Sequence, residues 1–385
     1  MIAKAQAPFL SAIAIAALTF SACGGDSAGE AKKSKASESS DKKNSDSNTS
    51  DQPGTGSSKT KGKPLAGAMR AKLVGAADEF GDRIAYRATG AVGITMDMGG
   101  LGGQSTEADL DEPLSVTEID ADGEIYSTIS MGSTLGSLAS AEFGDLSSET
   151  WFIGNNIYFL PSDDFSRLLA QTGRDPGPFA AGLGVVHIDQ VEEELRDAWG
   201  SNQYTDPIKL GAALRENADK FTVSDDDPNT FEARLKYKDV LELTSGTDPD
   251  EMIKSLASSM ALGAGPESDD NLDFEKLAKD MLSAPADLTV TLSENGALSE
   301  TGITLDMSLI LTSLMESAPG IDDLDDGQEE ELNIFLDSEF TMTTLTRYEI
   351  DPTIDVVAPT GEAEDRTEAF RTYFAKALSG QVSAS

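Results

Sequence analysis

Trp151-Phe152-Ile153-Gly154-Asn155-Asn156-Ile157-Tyr158-Phe159-Leu160 is the stretch of the chain with the clearest fold signal. Aromatic and β-branched residues, which favour strands, flank Gly154-Asn155-Asn156, a sequence typical of a turn. Pro161 ends the second run, since proline cannot donate a hydrogen bond to a neighbouring strand. The stretch predicts a β-hairpin.

The segments before this hairpin also read as strands. Residues 84–98 alternate between apolar and small or polar side chains over about fifteen positions. A second extended segment, 114–131, is interrupted by the turn Asp120-Ala121-Asp122-Gly123. Between the two, Gly99 to Gly103 is typical of a flexible hairpin tip; neither a Lys-Ser/Thr pair nor a helical pattern follows, so it is not a phosphate-binding loop. The three-to-four spacing of apolar residues in 66–80 predicts a helix upstream.

The segments after the hairpin alternate between helical and strand patterns. The predicted helices span 165–171, 191–199, 207–218, 249–262, 272–282 and 362–378. The predicted strands span 185–189, 221–223, 230–243, 288–292, 298–311, 332–348 and 354–359, with an acidic loop at 321–331. This order predicts an α+β fold in which helices cover a large, curved antiparallel sheet.

The N-terminus reads as the signal peptide of a bacterial lipoprotein. Lys4 precedes the apolar run 9–18, which is too short for a membrane span of about 20 residues. Thr19-Phe20-Ser21-Ala22-Cys23-Gly24-Gly25 resembles a lipobox, although Phe20 replaces the more usual Leu, Val or Ile. Because Cys23 is the only cysteine in 385 residues, no disulfide framework explains it. We expect cleavage after residue 22, lipidation of Cys23 (including palmitate) and anchoring on the extracytoplasmic face of the cell membrane.

Composition divides the mature chain in two. Residues 24–63 are built mainly of Ser, Lys, Asp, Gly and Thr, and they contain too few large apolar residues to form a core. A flexible tether of this length has a root-mean-square span of roughly 35 Å. We therefore expect residues 1–22 to be the signal peptide, residues 23–63 to be the lipidated cysteine and its disordered tether, and residues 64–385 to form a single domain.

The charge of the chain excludes nucleic acid as a partner. Residues 1–63 hold 9 of the 29 Lys and Arg residues and 6 of the 68 Asp and Glu residues, which leaves 20 basic and 62 acidic side chains in residues 64–385, a formal net charge of −42. A phosphate backbone is repelled by such a chain. The same repulsion argues against tight electrostatic docking on anionic lipid.

No pattern of catalytic or metal-ligating residues emerges. His187 is the only histidine, and its setting Val185-Val186-His187-Ile188-Asp189 indicates a structural residue on a strand. With one His and one Cys, neither a zinc site nor a cysteine protease is expected. The acidic stretch beginning at Asp322 fails as a calcium loop: with Gly327 at the sixth position, Leu324 and Asn333 occupy the third and twelfth. We expect no cofactor, no metal and no enzymatic activity.

What remains is a set of apolar residues on the alternating strands. A normal protein core explains them, and so does an apolar cavity between the sheet and its helices. Methionine is flexible and suits an adaptable surface. The residues predicted to line such a cavity are Met96, Met98, Ile303, Leu305, Met307 and Leu309.

Several of these elements together resemble a known family. A lipobox, a Ser-rich tether, the hairpin 151–158, the strand 185–189 and the segment 354–359 that ends in proline are similar to the actinobacterial lipoproteins of the LppX/LprG type, which have a LolA-like fold. The resemblance implies a half-barrel of antiparallel strands closed by helices, with a cavity that holds a lipid or lipoglycan. It implies no catalytic residues. The acidic stretch near Asp322 and the helix after residue 359 are additions to the family pattern.

These observations predict an envelope lipoprotein that binds or carries a hydrophobic ligand, a lipid or lipoglycan. The alternative is an interaction or structural lipoprotein with a solid core that binds a protein. The sequence names no protein partner.

Overall fold

The computed structural model describes residues 65, 67–80, 84–97, 113–130, 146–171, 176–191, 207–245, 274–308 and 339–378. Within these ranges twelve strands form one open, curved sheet. The strands are β1 (Tyr86–Asp97), β2 (Ser115–Ile119), β3 (Ile125–Ser130), β4 (Ser147–Ile153), β5 (Asn156–Pro161), β6 (Gly184–His187), β7 (Thr222–Val223), β8 (Thr230–Lys236), β9 (Pro285–Leu292), β10 (Leu298–Asp306), β11 (Glu339–Ile350) and β12 (Glu364–Asp365).

The strand order is β12-β6-β5-β4-β3-β2-β1-β11-β10-β9-β8-β7. Every neighbouring pair is antiparallel except β12 and β6, which are parallel. Two meanders, β1 to β6 and β7 to β11, therefore meet where β1 pairs with β11. That seam is the longest pairing of the sheet, since all twelve residues of β1 lie opposite residues of β11, from Tyr86 opposite Ile350 to Asp97 opposite Glu339.

Helices cover one face of the sheet, which we call the covered face. They are α1 (Gly67–Val74), α2 (Asp163–Gln171), α3 (Pro207–Asn217), α4 (Tyr237–Ser245), α5 (Phe274–Ser283) and α6 (Thr367–Leu378). Their sequences have the apolar spacing of amphipathic helices; Leu210 and Leu214 of α3, for example, are one turn apart and both buried. The opposite face of the sheet is the outer face.

The segment that follows β11, residues 351–366, runs back to β6 and is held by contacts at two points. At the β2–β3 turn, the Asp120 carboxylate accepts hydrogen bonds from the backbone N–H groups of Asp122, Glu124 and Val356, at 2.9, 3.0 and 3.2 Å. Beyond β12, Arg366 is 3% exposed and lies over Gly184 of β6. A Cβ atom at residue 184 would lie 2.4 Å from the Arg366 Cδ atom, so this position requires glycine.

The structure confirms most of the predicted elements and corrects three, and two others are shorter than predicted: α1 ends at Val74 rather than at residue 80, and β10 ends at Asp306 rather than at residue 311. The strand predicted over 230–243 is wrong beyond Lys236, because Tyr237, Val240 and Leu243 are buried at a spacing of three residues and form one face of α4. The strand predicted at 354–359 is also wrong, since this segment does not pair with the sheet.

The third correction concerns the closing helix, which begins at Thr367 rather than at residue 362. Glu364 and Asp365 pair with β6, and the Asp365 carboxylate then accepts the Thr367 N–H at 3.0 Å. The hydrogen bonds that the Asp365 carboxylate accepts from the Thr367 backbone N–H and side chain, together with the nearby His187, lower its pKa. The helix predicted at 249–262, nearly all of that at 191–199, the glycine-rich tip, the acidic loop, the signal peptide and the tether lie outside the described residues.

Candidate functional site

On strands β1 to β11, the covered face of the sheet is free of charged side chains at every described position; the short edge strand β12 carries Glu364 there, opposite Gly184. Covered positions are the even-numbered residues of β1, β4, β6, β9 and β11, and the odd-numbered residues of β2, β3, β5, β8 and, after the bulge near Ser299, β10. All of them are apolar, glycine, serine, threonine or tyrosine. A face of this composition cannot hold an anionic group by ion pairing, but it can contact hydrocarbon.

The larger apolar region covers β8 to β11 and β1. Leu305 and Met342, directly opposite each other on β10 and β11, are 0% and 5% exposed. They belong to one cluster with Leu210 of α3, Val240 of α4 and Met281 of α5. This half of the covered face is thus packed against four helices, α1 included.

A smaller apolar region covers β5 and β6. Phe159 and Val186 are fully buried and form a cluster with Phe370 of α6. Phe179 packs edge-on against Phe159, with ring centroids 5.5 Å apart, and Tyr373 packs edge-on against Phe179 at 5.9 Å. Helix α6 therefore seals this end of the covered face.

A row of hydroxyl groups, which we call the hydroxyl band, runs between the two regions and continues into the larger one. Thr117, Ser127 and Thr150 lie directly opposite one another on β2, β3 and β4, and they are 5%, 2% and 7% exposed. On the far side of β1, Thr301 and Tyr348 are also buried, and their hydroxyl oxygens are 3.2 Å apart. The band also includes three half-buried residues on the same face: Ser115, Ser148 and Thr346.

On strands β1 to β11, the charged residues at described positions lie on the outer face. Arg87 donates to Glu118 at 2.6 Å, and Arg347 donates to Glu300 at 3.1 Å. Tyr126 donates to the Glu149 carboxylate at 2.7 Å, and burial together with this bond raises its pKa. Because these pairs are partly exposed, they place charge in solvent and contribute little to stability.

Three of the predicted ligand-contacting residues lie together on the covered face. Leu305 is fully buried, Met307 is 4% exposed, and Ile303 packs partly buried against the same cluster. Met96 lies on β1 opposite Phe340. Met98, Leu309 and the lipidation site Cys23 lie outside the described residues. That Ile303, Leu305, Met307 and Met96 contact a ligand remains a prediction.

His187 lies on the outer face, away from this site. Its Nδ1 atom is 2.8 Å from the Asn156 side-chain oxygen, and its backbone N–H donates to the Thr367 hydroxyl at 3.0 Å. These contacts give it a structural setting at the junction of β5, β6 and α6. Among the described residues, no group of three or more His, Cys, Asp or Glu side chains could hold a metal ion.

The sequence-based reasoning overlooked the hydroxyl band. Serine and threonine on alternating strand positions usually indicate a solvent-facing side, so the band did not stand out. A signal was nevertheless present: Ser127 falls between Ile125 and Ile129 at a spacing of two, which places its hydroxyl on the same face as two buried isoleucines.

No helix in the described part of the chain is both long and apolar enough to cross a membrane. No family model and no curated protein sequence matches the chain. Among solved structures, the crystal structure of LprF from Mycobacterium bovis is similar over 78% of this chain and 100% of that chain, with 7% sequence identity and a TM-score of 0.28. A similarity at so low a TM-score gives no basis for assigning a function to this chain.

Proposed function

We propose that this protein is a LolA-like lipoprotein of the cell envelope, held to the membrane through Cys23, which binds or carries a hydrophobic ligand between its sheet and helices. One observation carries the proposal: on strands β1 to β11 the covered face has no charged residue at any described position, while the outer face carries the ion pairs. The proposed role is binding and transport, without catalysis.

The free energy gained by burying an acyl chain is sufficient for a lipid carrier. An acyl chain gains about 0.8 kcal/mol per buried CH₂ group, so a chain of about sixteen carbons gains roughly 12 kcal/mol before the cost of ordering is subtracted. After that cost, micromolar affinity is within reach. The net charge of the chain favours a lipid or lipoglycan whose exposed part is neutral.

Ligand binding is tested on the full-length, lipidated protein purified from a bacterial host. Native mass spectrometry should detect a co-purifying lipid, and a fluorescent fatty-acyl probe should bind. Met307→Trp should fill space on the covered face and weaken probe binding, whereas Thr304→Trp on the outer face should leave it nearly unchanged. Leu305→Trp tests the same face, and urea unfolding of each variant shows whether the fold is retained. Equal effects on both faces would contradict the assignment.

The alternative is an interaction or structural lipoprotein that has a solid core and binds a protein partner. One observation favours it. Leu305 and Met307 are packed in the main cluster with side chains from four helices. Under this alternative no lipid co-purifies and no probe binds, so the same experiment separates the two roles.

The anchor has a test of its own. Wild-type protein grown with labelled palmitate should carry the label, and Cys23→Ala should carry none, because the thiol is the proposed attachment point. Ser27→Ala, four residues downstream, should be labelled like the wild type. Label on Cys23→Ala would contradict the lipobox assignment.

A further inference from the structure

The turn between β9 and β10 contains Asn295-Gly296, the only asparagine in the chain that is followed by glycine. Asn295 is exposed, and the turn is closed by backbone hydrogen bonds from the Ser293 N–H to the Ala297 carbonyl at 2.8 Å and from the Gly296 N–H to the Ser293 carbonyl at 2.9 Å. Gly296 has a φ of +92°, which favours glycine over residues with a side chain. The turn therefore places a sterically unhindered backbone nitrogen directly after an exposed asparagine.

Hydrogen-bond donors polarise the carbonyl group of the Asn295 side chain. Its Oδ1 atom accepts the Ala297 N–H at 3.2 Å, a bond that folds the side chain forward along its own backbone, toward the Gly296 nitrogen. The Ser293 hydroxyl contacts the same Oδ1 atom and also the Ala297 carbonyl oxygen, so its one proton is shared between the two. Donors at Oδ1 stabilise the negative charge that develops there when a nucleophile attacks Cγ.

The other described asparagines lack this combination. Asn229 also has a polarised carbonyl, because the Lys72 Nζ atom donates to its Oδ1 atom at 2.6 Å, but the next residue is the β-branched Thr230. The Asn156 side-chain oxygen contacts the His187 Nδ1 atom, and an isoleucine follows. In the two remaining cases the following residue also has a side chain. At each of these positions a side chain therefore crowds the backbone nitrogen that would have to attack.

We propose that Asn295 is a site of spontaneous deamidation in the folded protein, with the Gly296 backbone nitrogen as the nucleophile. The bond from this nitrogen to Asn295 Cγ forms, the bond from Cγ to Nδ2 breaks, and the proton of the nitrogen leaves with the amide group as ammonia. The resulting succinimide ring takes up one water molecule and opens to aspartate or to isoaspartate. The proposal is independent of ligand binding.

The attack requires the hydrogen bond from Gly296 to Ser293 to open. This bond lies in an exposed turn at the end of a hairpin, where local opening costs least and leaves the buried strands in place. Deamidation therefore does not depend on unfolding of the sheet.

The two products should differ in their effect on the hairpin. Aspartate keeps the length of the main chain and adds a negative charge near α1, since a Cβ atom at residue 296 would lie 3.8 Å from the Lys72 Cε atom. Isoaspartate lengthens the main chain by one carbon atom, so the hydrogen bonds between Ser293 and Ala297 no longer fit. We expect the isoaspartate form to unfold at lower urea concentration than Asn295→Asp.

The test follows the full-length protein by peptide mass spectrometry during incubation under conditions in which it stays folded. The peptide that contains residue 295 should show the mass change from amide to acid before any peptide with another described asparagine, and electron-transfer fragmentation should identify both aspartate and isoaspartate. In Gly296→Asn the turn is kept, because asparagine tolerates a positive φ, but a side chain now shields the nitrogen. Conversion at Asn295 should fall at least about tenfold, a barrier increase of about 1.4 kcal/mol.

Gly154→Asn is the matched control. It makes the same substitution in the β4–β5 turn, at a φ of +56° and with no atom within 4 Å of the new Cβ atom. It should leave the rate at Asn295 unchanged. The comparison among the asparagines of the wild type does not depend on whether either variant folds.

Three outcomes would overturn the proposal. Asn295 that stays intact in the folded protein and converts only in urea would show that the turn protects it. Earlier conversion of another described asparagine would show that the turn gives Asn295 no advantage. Conversion of Gly296→Asn at the wild-type rate would show that the Gly296 nitrogen is not the nucleophile.

Discussion

Arg366 shows how a single buried cation can hold a chain terminus in place. Its side chain is 3% exposed, and the only acid paired with it among the described residues, Glu364, has a side chain that is 72% exposed. Most of its hydrogen bonds therefore go to neutral backbone carbonyls of residues 178–181. An arginine can do this because its planar guanidinium offers five donors in a fixed arrangement.

Replacing Arg366 with methionine should lower the free energy of unfolding by about 3 kcal/mol, because the carbonyls of residues 178, 180 and 181 lose their partner. Urea unfolding monitored by tryptophan fluorescence measures the loss. Arg371→Met is the control, since Arg371 is partly exposed and pairs with Glu368 one helical turn away; it should change stability by less than about 0.5 kcal/mol. Similar losses in the two variants would contradict this role of Arg366.

Glu124 introduces a pH dependence near the β2–β3 turn. Burial raises the pKa of its carboxyl group, and the neighbouring Asp120 and Asp122 raise it further. The folded protein therefore retains a proton that the unfolded chain releases near its ordinary pKa of about 4.3. As pH rises from that value through the folded pKa, this group lowers the free energy of unfolding.

Glu124→Gln should accordingly stabilise the protein at pH 7, and the gain should shrink as the pH approaches about 4, where the wild-type carboxyl becomes protonated in both states. Urea unfolding across this pH range measures the difference. Glu294→Gln, exposed in the β9–β10 turn, should produce no comparable gain at pH 7. A gain for Glu124→Gln that is constant with pH, or that grows as the pH falls, would contradict the assignment.

At the contact between α3 and the turn after α1, two segments approach more closely than most side chains would allow. A Cβ atom built on Gly211 would lie 2.7 Å from the Ala77 Cβ atom. Residues 211 and 77 are both buried, so neither can swing into solvent. The glycine therefore sets how tightly α3 packs against the N-terminal segment.

Gly211→Ala should destabilise the protein by about 1–3 kcal/mol, although alanine is intrinsically about 1 kcal/mol better than glycine in a helix. Gly67→Ala is a matched control at the first residue of α1, where a Cβ atom would have no neighbour within 4 Å. The control should be neutral or slightly stabilising in the same urea titration. Stabilisation by Gly211→Ala would show that α3 and the turn after α1 can move apart without loss of stability, and it would contradict this role of Gly211.

The strands were largely predictable from the sequence, and the reason is local. Alternation in residues 84–98 and the turn at Gly154-Asn155-Asn156 depend on neighbouring residues alone, and β1, β4 and β5 form there. The error at residues 237–243 arose because Tyr237, Val240 and Leu243 can be read as a continuation of the alternating strand before them. Packing against α3, α5 and β9, which the local pattern does not show, favours the helix.

The site was less predictable than the strands, because a face is defined by pairing between strands. Leu305 and Met307, the latter one residue beyond the end of β10, could be assigned to one face by alternation along this segment. The row Thr117–Ser127–Thr150 depends instead on two registers, β2 with β3 and β3 with β4, that no single segment encodes. Hydroxyl residues in isolation also indicate a solvent-facing side as readily as a buried polar row.

The distribution of charged residues distinguishes the covered face of the sheet from the surface that faces water. On strands β1 to β11, the charged side chains at described positions lie on the outer face, and the covered face has none. Residues 64–385 carry a formal net charge of −42, so like charges crowd the water-facing surface. Such self-repulsion destabilises a compact state, and salt screens it.

Raising the ionic strength should therefore stabilise the protein. Between about 0.01 M and about 0.1 M salt the screening length falls from about 30 Å to about 10 Å, which removes most repulsion between distant exposed carboxylates. We expect the thermal midpoint to rise by about 3 °C, which corresponds to about 1 kcal/mol for a folded chain of this size. Sodium and potassium chloride should act alike, because screening depends on ionic strength and not on the identity of the cation. A difference between the two salts would instead indicate a specific cation site, and an unchanged midpoint would show that the acidic side chains are too far apart or too well hydrated to repel one another measurably.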